Sequence, residues 1–183
     1  MSTTAISLRA ASAIELNKLE HIYLEAFPPE ERRPWEQIAA TPSDSLLRLH
    51  AICCNGDAVG LITTWDFGTF VYVEHLAVDI SCRGGGIGAA VLTCMKAGTA
   101  GRPLVLEVEP PCELQPDTVR RVNFYKRNGF HMLPHDYVQP PYSAGLPEVE
   151  LKLMSTNPEM PPEPLISLLH SKVYNRDTQL IAN

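Results

Sequence analysis

A run of glycines placed between an apolar strand and an amphipathic helix constrains this 183-residue chain most. The stretch reads Leu76-Ala77-Val78, then Asp79-Ile80-Ser81-Cys82, then Arg83-Gly84-Gly85-Gly86-Ile87-Gly88-Ala89. Glycine admits positive φ and lets backbone amides approach a ligand closely. The first amides of a helix lack partners within it, and the helix dipole favours an anion there. Arg83 adds a forked cation suited to phosphate. The chemistry indicated is pyrophosphate binding.

The surrounding pattern limits which loop this is. The periodicity predicts a short strand over Ile6–Leu8 and a helix over Ser12–Phe27 with Ser12 as cap. A second helix is expected over Glu30–Ala39. Strands follow at Leu46–Cys54, Ala58–Phe67 and Phe70–Val78, with Asn55-Gly56-Asp57 as a hairpin turn. After the helix at Ile87–Ala97 come a strand at Leu104–Glu109, a helix at 117–127 closed by Asn128-Gly129, and strands at Phe130–Tyr137 and Val149–Met154. A Pro-rich segment and a last helix, Leu165–Tyr174, complete the chain. This order gives an α/β (α+β) fold with a mixed sheet.

A dinucleotide fingerprint fits Gly84-x-Gly86-x-x-Ala89, with Glu107 in the place of the ribose-binding acid. Its context does not fit. Five residues separate Val78 from Gly84, antiparallel strands precede the loop, and no second βαβ unit follows Glu109.

The loop instead resembles the cofactor motif of the GNAT superfamily of acyl-CoA N-acyltransferases: a strand, a spacer of four, and Arg-Gly-x-Gly-Ile-Gly. Phe124-Tyr125-Lys126-Arg127-Asn128-Gly129-Phe130 matches that family's second signature, in the right order after one strand. Thr118 stands where the family often has an Asn that touches the pantetheine arm. The resemblance implies a GNAT-like mixed, mostly antiparallel central sheet flanked by helices. It covers roughly residues 5–155 of the chain. A GNAT domain is expected over residues 1–156. Residues 157–183 are expected to pack on it or on a partner, a homodimer through the last helix included.

The resemblance also implies direct transfer of an acetyl group from acetyl-CoA to a small-molecule amine or a protein amino group in a ternary complex. Leu76, Ala77, Val78, Arg83, Gly84, Gly85, Gly86, Ile87, Gly88 and Ala89 would hold acetyl-CoA, the arm lying where the strand splays from the next. Tyr125 would act as general acid on the leaving thiolate and touch the cofactor. Glu74 is the candidate base, with Glu107 as the second, because a primary amine is mostly protonated at neutral pH. Strand alternation puts Glu74, Leu76 and Val78 on one face and His75, as a packed residue, on the other. Phe27, Glu107 and Tyr142 are expected at the acceptor site, where acids including Asp66 and Glu109 suit a cationic amine. A catalytically silent acyl-CoA-binding module is the rival from another class.

Composition sets the outer bounds. A net charge of −6 argues against broad nucleic-acid binding. No apolar run reaches membrane-spanning length, and Met1–Ala13 lacks a signal-peptide pattern. The five cysteines are odd in number and contain no Cys-x-x-Cys pair. Reduced thiols, no metal and a cytoplasmic location are the expectation.

Overall fold

The computed structural model describes residues 5–176, which group into two compact units dividing between Leu104 and Val105. In the first unit, β1 (Ile6–Ala10), β2 (Leu47–Cys54), β3 (Asp57–Asp66) and β4 (Val71–Val78) pair consecutively, all antiparallel. Helices α1 (Leu16–Ala26) and α2 (Trp35–Ala39) pack on the meander. Leu19, Ile22 and Tyr23 of α1 and Trp35 and Ile38 of α2 share a core with Ala51, Leu61 and Ala77. Helix α3 (Ile87–Gly98) packs on β1 and β4.

Two local expectations change at the start of the chain. Ser12 does not cap α1 directly. Its N–H and hydroxyl both bond to Glu15 Oε2, at 3.0 and 2.6 Å, and regular helix begins at Leu16. The expected helix at Glu30–Ala39 breaks into a 3-10 turn, Pro29–Glu31, and the short α2. Pro34 is the cause, since proline disfavours helical backbone at the residue before it.

In the second unit, β8 (Val149–Ser155) is central. It pairs antiparallel with β5 (Leu104–Val108), β6 (His131–Met132) and β7 (Tyr137–Gln139). The strand expected over Phe130–Tyr137 is therefore two pieces. Pro134 between them has no N–H to give to the ladder. Helix α4 (Pro116–Arg127) precedes β6, and α5 (Pro162–Lys172) follows β8. Of the residues 157–183 expected to pack on the domain or a partner, 157–176 pack within this unit, and the rest lie outside the described residues. Leu165, Leu169, Val173 and Tyr174 are buried, and His170 Nε2 donates to the Val138 carbonyl at 2.9 Å. The antiparallel pairings and flanking helices match the expected fold class. No described helix is long and apolar enough to cross a membrane. The five cysteines are free thiols.

Candidate functional site

Strand β4 ends in Leu76-Ala77-Val78, opposite Ile62, Leu61 and Gly60 of β3. Gly60 is required by proximity. A Cβ there would stand 2.3 Å from the Ala77 carbonyl oxygen and 3.1 Å from the Val78 Cα. The chain then turns at Asp79, whose carboxylate accepts from the Ser81 N–H at 2.9 Å and hydroxyl at 2.6 Å. Arg83 Nε donates to the Val78 carbonyl at 2.8 Å, tying the loop back to the strand. Gly84 and Gly86 take φ of +84° and +78°, and Gly86 caps α3 in the left-handed region. An added Cβ at Gly84, Gly85 or Gly86 would meet no atom within 4 Å. The glycines therefore line open space at a helix start, where the amides of Ile87, Gly88 and Ala89 are first-turn donors. This arrangement leaves room for an anion such as a pyrophosphate at the helix start.

Tyr125 owes its position to the end of α4. Phe130 N–H donates to the Tyr125 carbonyl at 3.1 Å and Gly129 N–H to the Lys126 carbonyl at 3.0 Å. This paired closure needs a left-handed residue, and Gly129 has φ +82°. The Phe124 and Phe130 rings contact the tyrosine at centroid distances of 5.1 and 5.6 Å. Tyr125 is half-buried, and burial of its phenol pushes its pKa up to about 12. It keeps its proton at neutral pH and is a donor. Thr118 turns inward. Its hydroxyl accepts from Cys112 N–H at 2.9 Å and donates to the Gln115 carbonyl at 2.8 Å, pinning the connection before α4.

Glu74 lies in a buried polar network. Thr63 pairs with His75 and Thr64 with Val73, so Glu74 is the extra residue of a β-bulge. The bulge breaks the alternation expected of β4. Glu74 and His75 do not point to opposite faces; Glu74 Oε2 lies 3.8 Å from His75 Nδ1. Arg33 donates to Glu74 Oε1 through Nε at 2.9 Å and Nη2 at 2.8 Å, and Trp65 Nε1 donates to Oε2 at 2.9 Å. Burial alone would raise the Glu74 pKa. The Arg33 guanidinium, with His75 and Trp65, more than offsets this and holds it below the ordinary value. A carboxylate so clasped is a weak base.

His75 completes the network. Its Nε2 faces the Glu31 carbonyl at 3.1 Å, which only accepts, so Nε2 carries the proton. Nδ1 then accepts from the Thr63 hydroxyl at 2.9 Å. The Tyr23 hydroxyl lies 3.2 Å from Nε2 and donates to the Arg33 carbonyl at 3.1 Å. Burial pushes the His75 pKa down. Phe27 packs edge-on against His75 at 4.8 Å between centroids. The network fastens the chain between α1 and α2 to β4. Arg33 had no sequence signal, because its partner is 41 residues away.

The remaining acids have partners of two kinds. Asp66 pairs with Arg102 and Glu109 with Arg121. Glu107, on β5, accepts from the hydroxyls of Tyr137 and Tyr174. Tyr142 packs against Tyr174 with ring centroids 5.0 Å apart. Arg120 pairs with Asp117 on its own helix. Among the described residues, no three His, Cys, Asp or Glu side chains converge as a metal site requires.

Comparison with known proteins accords with this construction. An antiparallel meander running into a glycine loop and helix defines an acyltransferase-like α/β fold. Residues 47–132 match the family model described as an acetyltransferase (GNAT) domain. A Bacteroides thetaiotaomicron protein assigned to the GNAT acetyltransferases is 34% identical, with a TM-score of 0.83 over 94% of this chain and 99% of its own. The chain belongs to the GNAT acetyltransferase family. YjbC of Bacillus subtilis (strain 168), also assigned as an acetyltransferase, is 37% identical over 65 residues, 36% of this chain. That match spans only 33% of the relative's length. Arabidopsis thaliana Naa50, solved with the bisubstrate analogue CoA-Ac-MVNAL, shares the fold at TM-score 0.57 and 20% identity, over 82% of this chain and 97% of its own.

Proposed function

We propose that the protein is an N-acetyltransferase that moves an acetyl group from acetyl-CoA to an amine by direct attack in a ternary complex. The observation that carries this reading is the open glycine loop between β4 and α3. Its amides and Arg83 would hold the pyrophosphate, and the backbone of Leu76, Ala77 and Val78 would bind the pantetheine arm and the developing oxyanion. Naa50, a fold neighbour, was solved with an acetyl-CoA-like analogue, which supports this donor.

Tyr125 would donate a hydrogen bond to the sulfur as negative charge develops there. A phenol with a pKa of about 12 is a weaker acid than a thiol. Stabilisation of the thiolate by hydrogen bonding, ahead of full proton transfer, is therefore the role that suits it. An amine acceptor must lose a proton before attack. Glu74, with both oxygens engaged, is better suited to placing the chain that carries Phe27 than to taking that proton. Glu107, the second acid considered, likewise has both oxygens engaged, by tyrosine hydroxyls, so a bound water is the better candidate base.

Calorimetry with acetyl-CoA and with NAD tests the reading. We expect micromolar binding of acetyl-CoA and none of NAD. Gly85 is exposed, has no positive φ, and has room for a side chain. Gly85→Asp should then leave the melting temperature nearly unchanged, within the roughly 0.5 kcal/mol usual for surface changes. It should weaken acetyl-CoA binding at least tenfold by repelling the pyrophosphate. Unaltered affinity would remove the loop from the cofactor site.

A further inference from the structure

The carboxylate of Glu107 is framed by three tyrosines, one of which comes from the segment following α5. Glu107 stands opposite Leu153 of β8, and Tyr137 stands opposite Leu151 on the other edge of that strand. Leu151 and Leu153 are two residues apart, so Glu107 and Tyr137 leave the same face of the sheet. The Tyr137 hydroxyl donates to Glu107 Oε1. The Tyr174 hydroxyl reaches both oxygens, at 3.1 Å to Oε1 and 2.9 Å to Oε2. Tyr142 Oη donates to Tyr174 Oη at 3.4 Å, and the two rings pack tilted at 50° to one another. Helix α5 is itself fixed to β7 by the His170–Val138 bond and the Tyr137–His170 ring contact at 5.6 Å.

The exposures sort the group. Tyr137 and Tyr174 are buried, at 2% and 8%, whereas Glu107 and Tyr142 are half-buried. Buried phenols orient a carboxylate without adding positive charge. Electron-rich ring faces beside a negative group attract a cation. All three tyrosines lie outside residues 47–132, the part matched by the family model.

We propose that Glu107, held by Tyr137 and Tyr174 and flanked by Tyr142, anchors the positive charge of a cationic amine acceptor, with Tyr174 as its positioning residue. This rests on the reading of the chain as an amine acetyltransferase and names the class of acceptor. Binding the ammonium at a fixed carboxylate places its nitrogen and favours cationic over uncharged acceptors.

The test uses the full chain, 1,4-diaminobutane as the cationic acceptor and aniline as the uncharged one. Wild type should acetylate the diamine with the higher kcat/KM. Glu107→Gln should raise KM for the diamine at least tenfold and for aniline by no more than about twofold. Tyr174→Phe keeps the ring and removes the hydroxyl. It should raise the diamine KM three- to tenfold with kcat nearly kept, and Tyr137→Phe should act in the same direction. Acetyl-CoA affinity should stay within twofold in every variant. Equal losses for both acceptors, no preference of wild type for the diamine, or a diamine KM unmoved by both tyrosine variants would overturn the proposal. Failure of wild type to bind acetyl-CoA would overturn the acetyltransferase reading itself, and this inference with it.

Discussion

Tyr125 shows how a short motif can fix one side chain in place. Its carbonyl accepts the closing bonds of α4, and its ring is fixed between Phe124 and Phe130. Tyr125→Phe removes only the hydroxyl and leaves those contacts in place. We expect kcat to fall ten- to a hundredfold while acetyl-CoA affinity and melting temperature hardly move. Unchanged turnover would remove this hydroxyl from the reaction. The Phe-Tyr-x-x-x-Gly-Phe pattern was legible because the bonds that close α4 and the ring contacts of Tyr125 lie within seven residues. Glu74 was legible as a conspicuous acid on a strand, but its environment was not. Arg33 and Trp65 approach it from 41 and 9 residues away, and no local pattern records that approach.

Between β3 and β4, two features decide what the C-terminal half of β4 can do. The bulge at Glu74 resets the direction of the side chains. Alternation read from sequence holds on either side of it and fails across it. Such an insertion leaves no periodic mark, because one extra residue in eight looks like noise. Gly60 then lets the Ala77 carbonyl come close. Gly60→Ala places a methyl group too close to the Ala77 oxygen for both to stay, and β4 must move. Overpacking of this kind costs about 1–3 kcal/mol. The melting temperature should drop and acetyl-CoA affinity should fall with it, because the displaced residues are those assigned to the pantetheine arm. A variant that loses stability but binds acetyl-CoA normally would detach this close approach from cofactor binding. Pro34 and Pro134 acted on neighbouring elements in the same local way. Each broke an expected element at a position visible in the sequence, Pro34 by restricting the backbone of the residue before it and Pro134 by its missing N–H.

Across the whole molecule, acid should be the destabilising direction. The folded state holds His75 neutral, with its pKa pushed below 6.5 by burial. The unfolded chain therefore binds the extra proton first, and stability falls as pH drops below about 6.5. Glu74 is ionised in the fold with its pKa below 4.5, so its contribution is lost at lower pH still. Melting temperature should decline from pH 7.5 to 5. His75→Gln should be less stable at pH 7.5 yet show a shallower decline, and parallel curves would place the effect elsewhere. The order of elements was readable over most of the chain, since hydrophobic period and turn residues are local. The pairing of Tyr174 with Glu107 was not, because 67 residues separate them. That separation has a consequence in time. A ribosome adding about 5–20 residues each second makes the carboxylate about 3–13 s before the phenol that orients it. During synthesis the glycine loop, proposed to hold the cofactor, can form well before the proposed acceptor anchor is complete. On the proposed reading, a nascent chain would meet its donor before it could discriminate among acceptors.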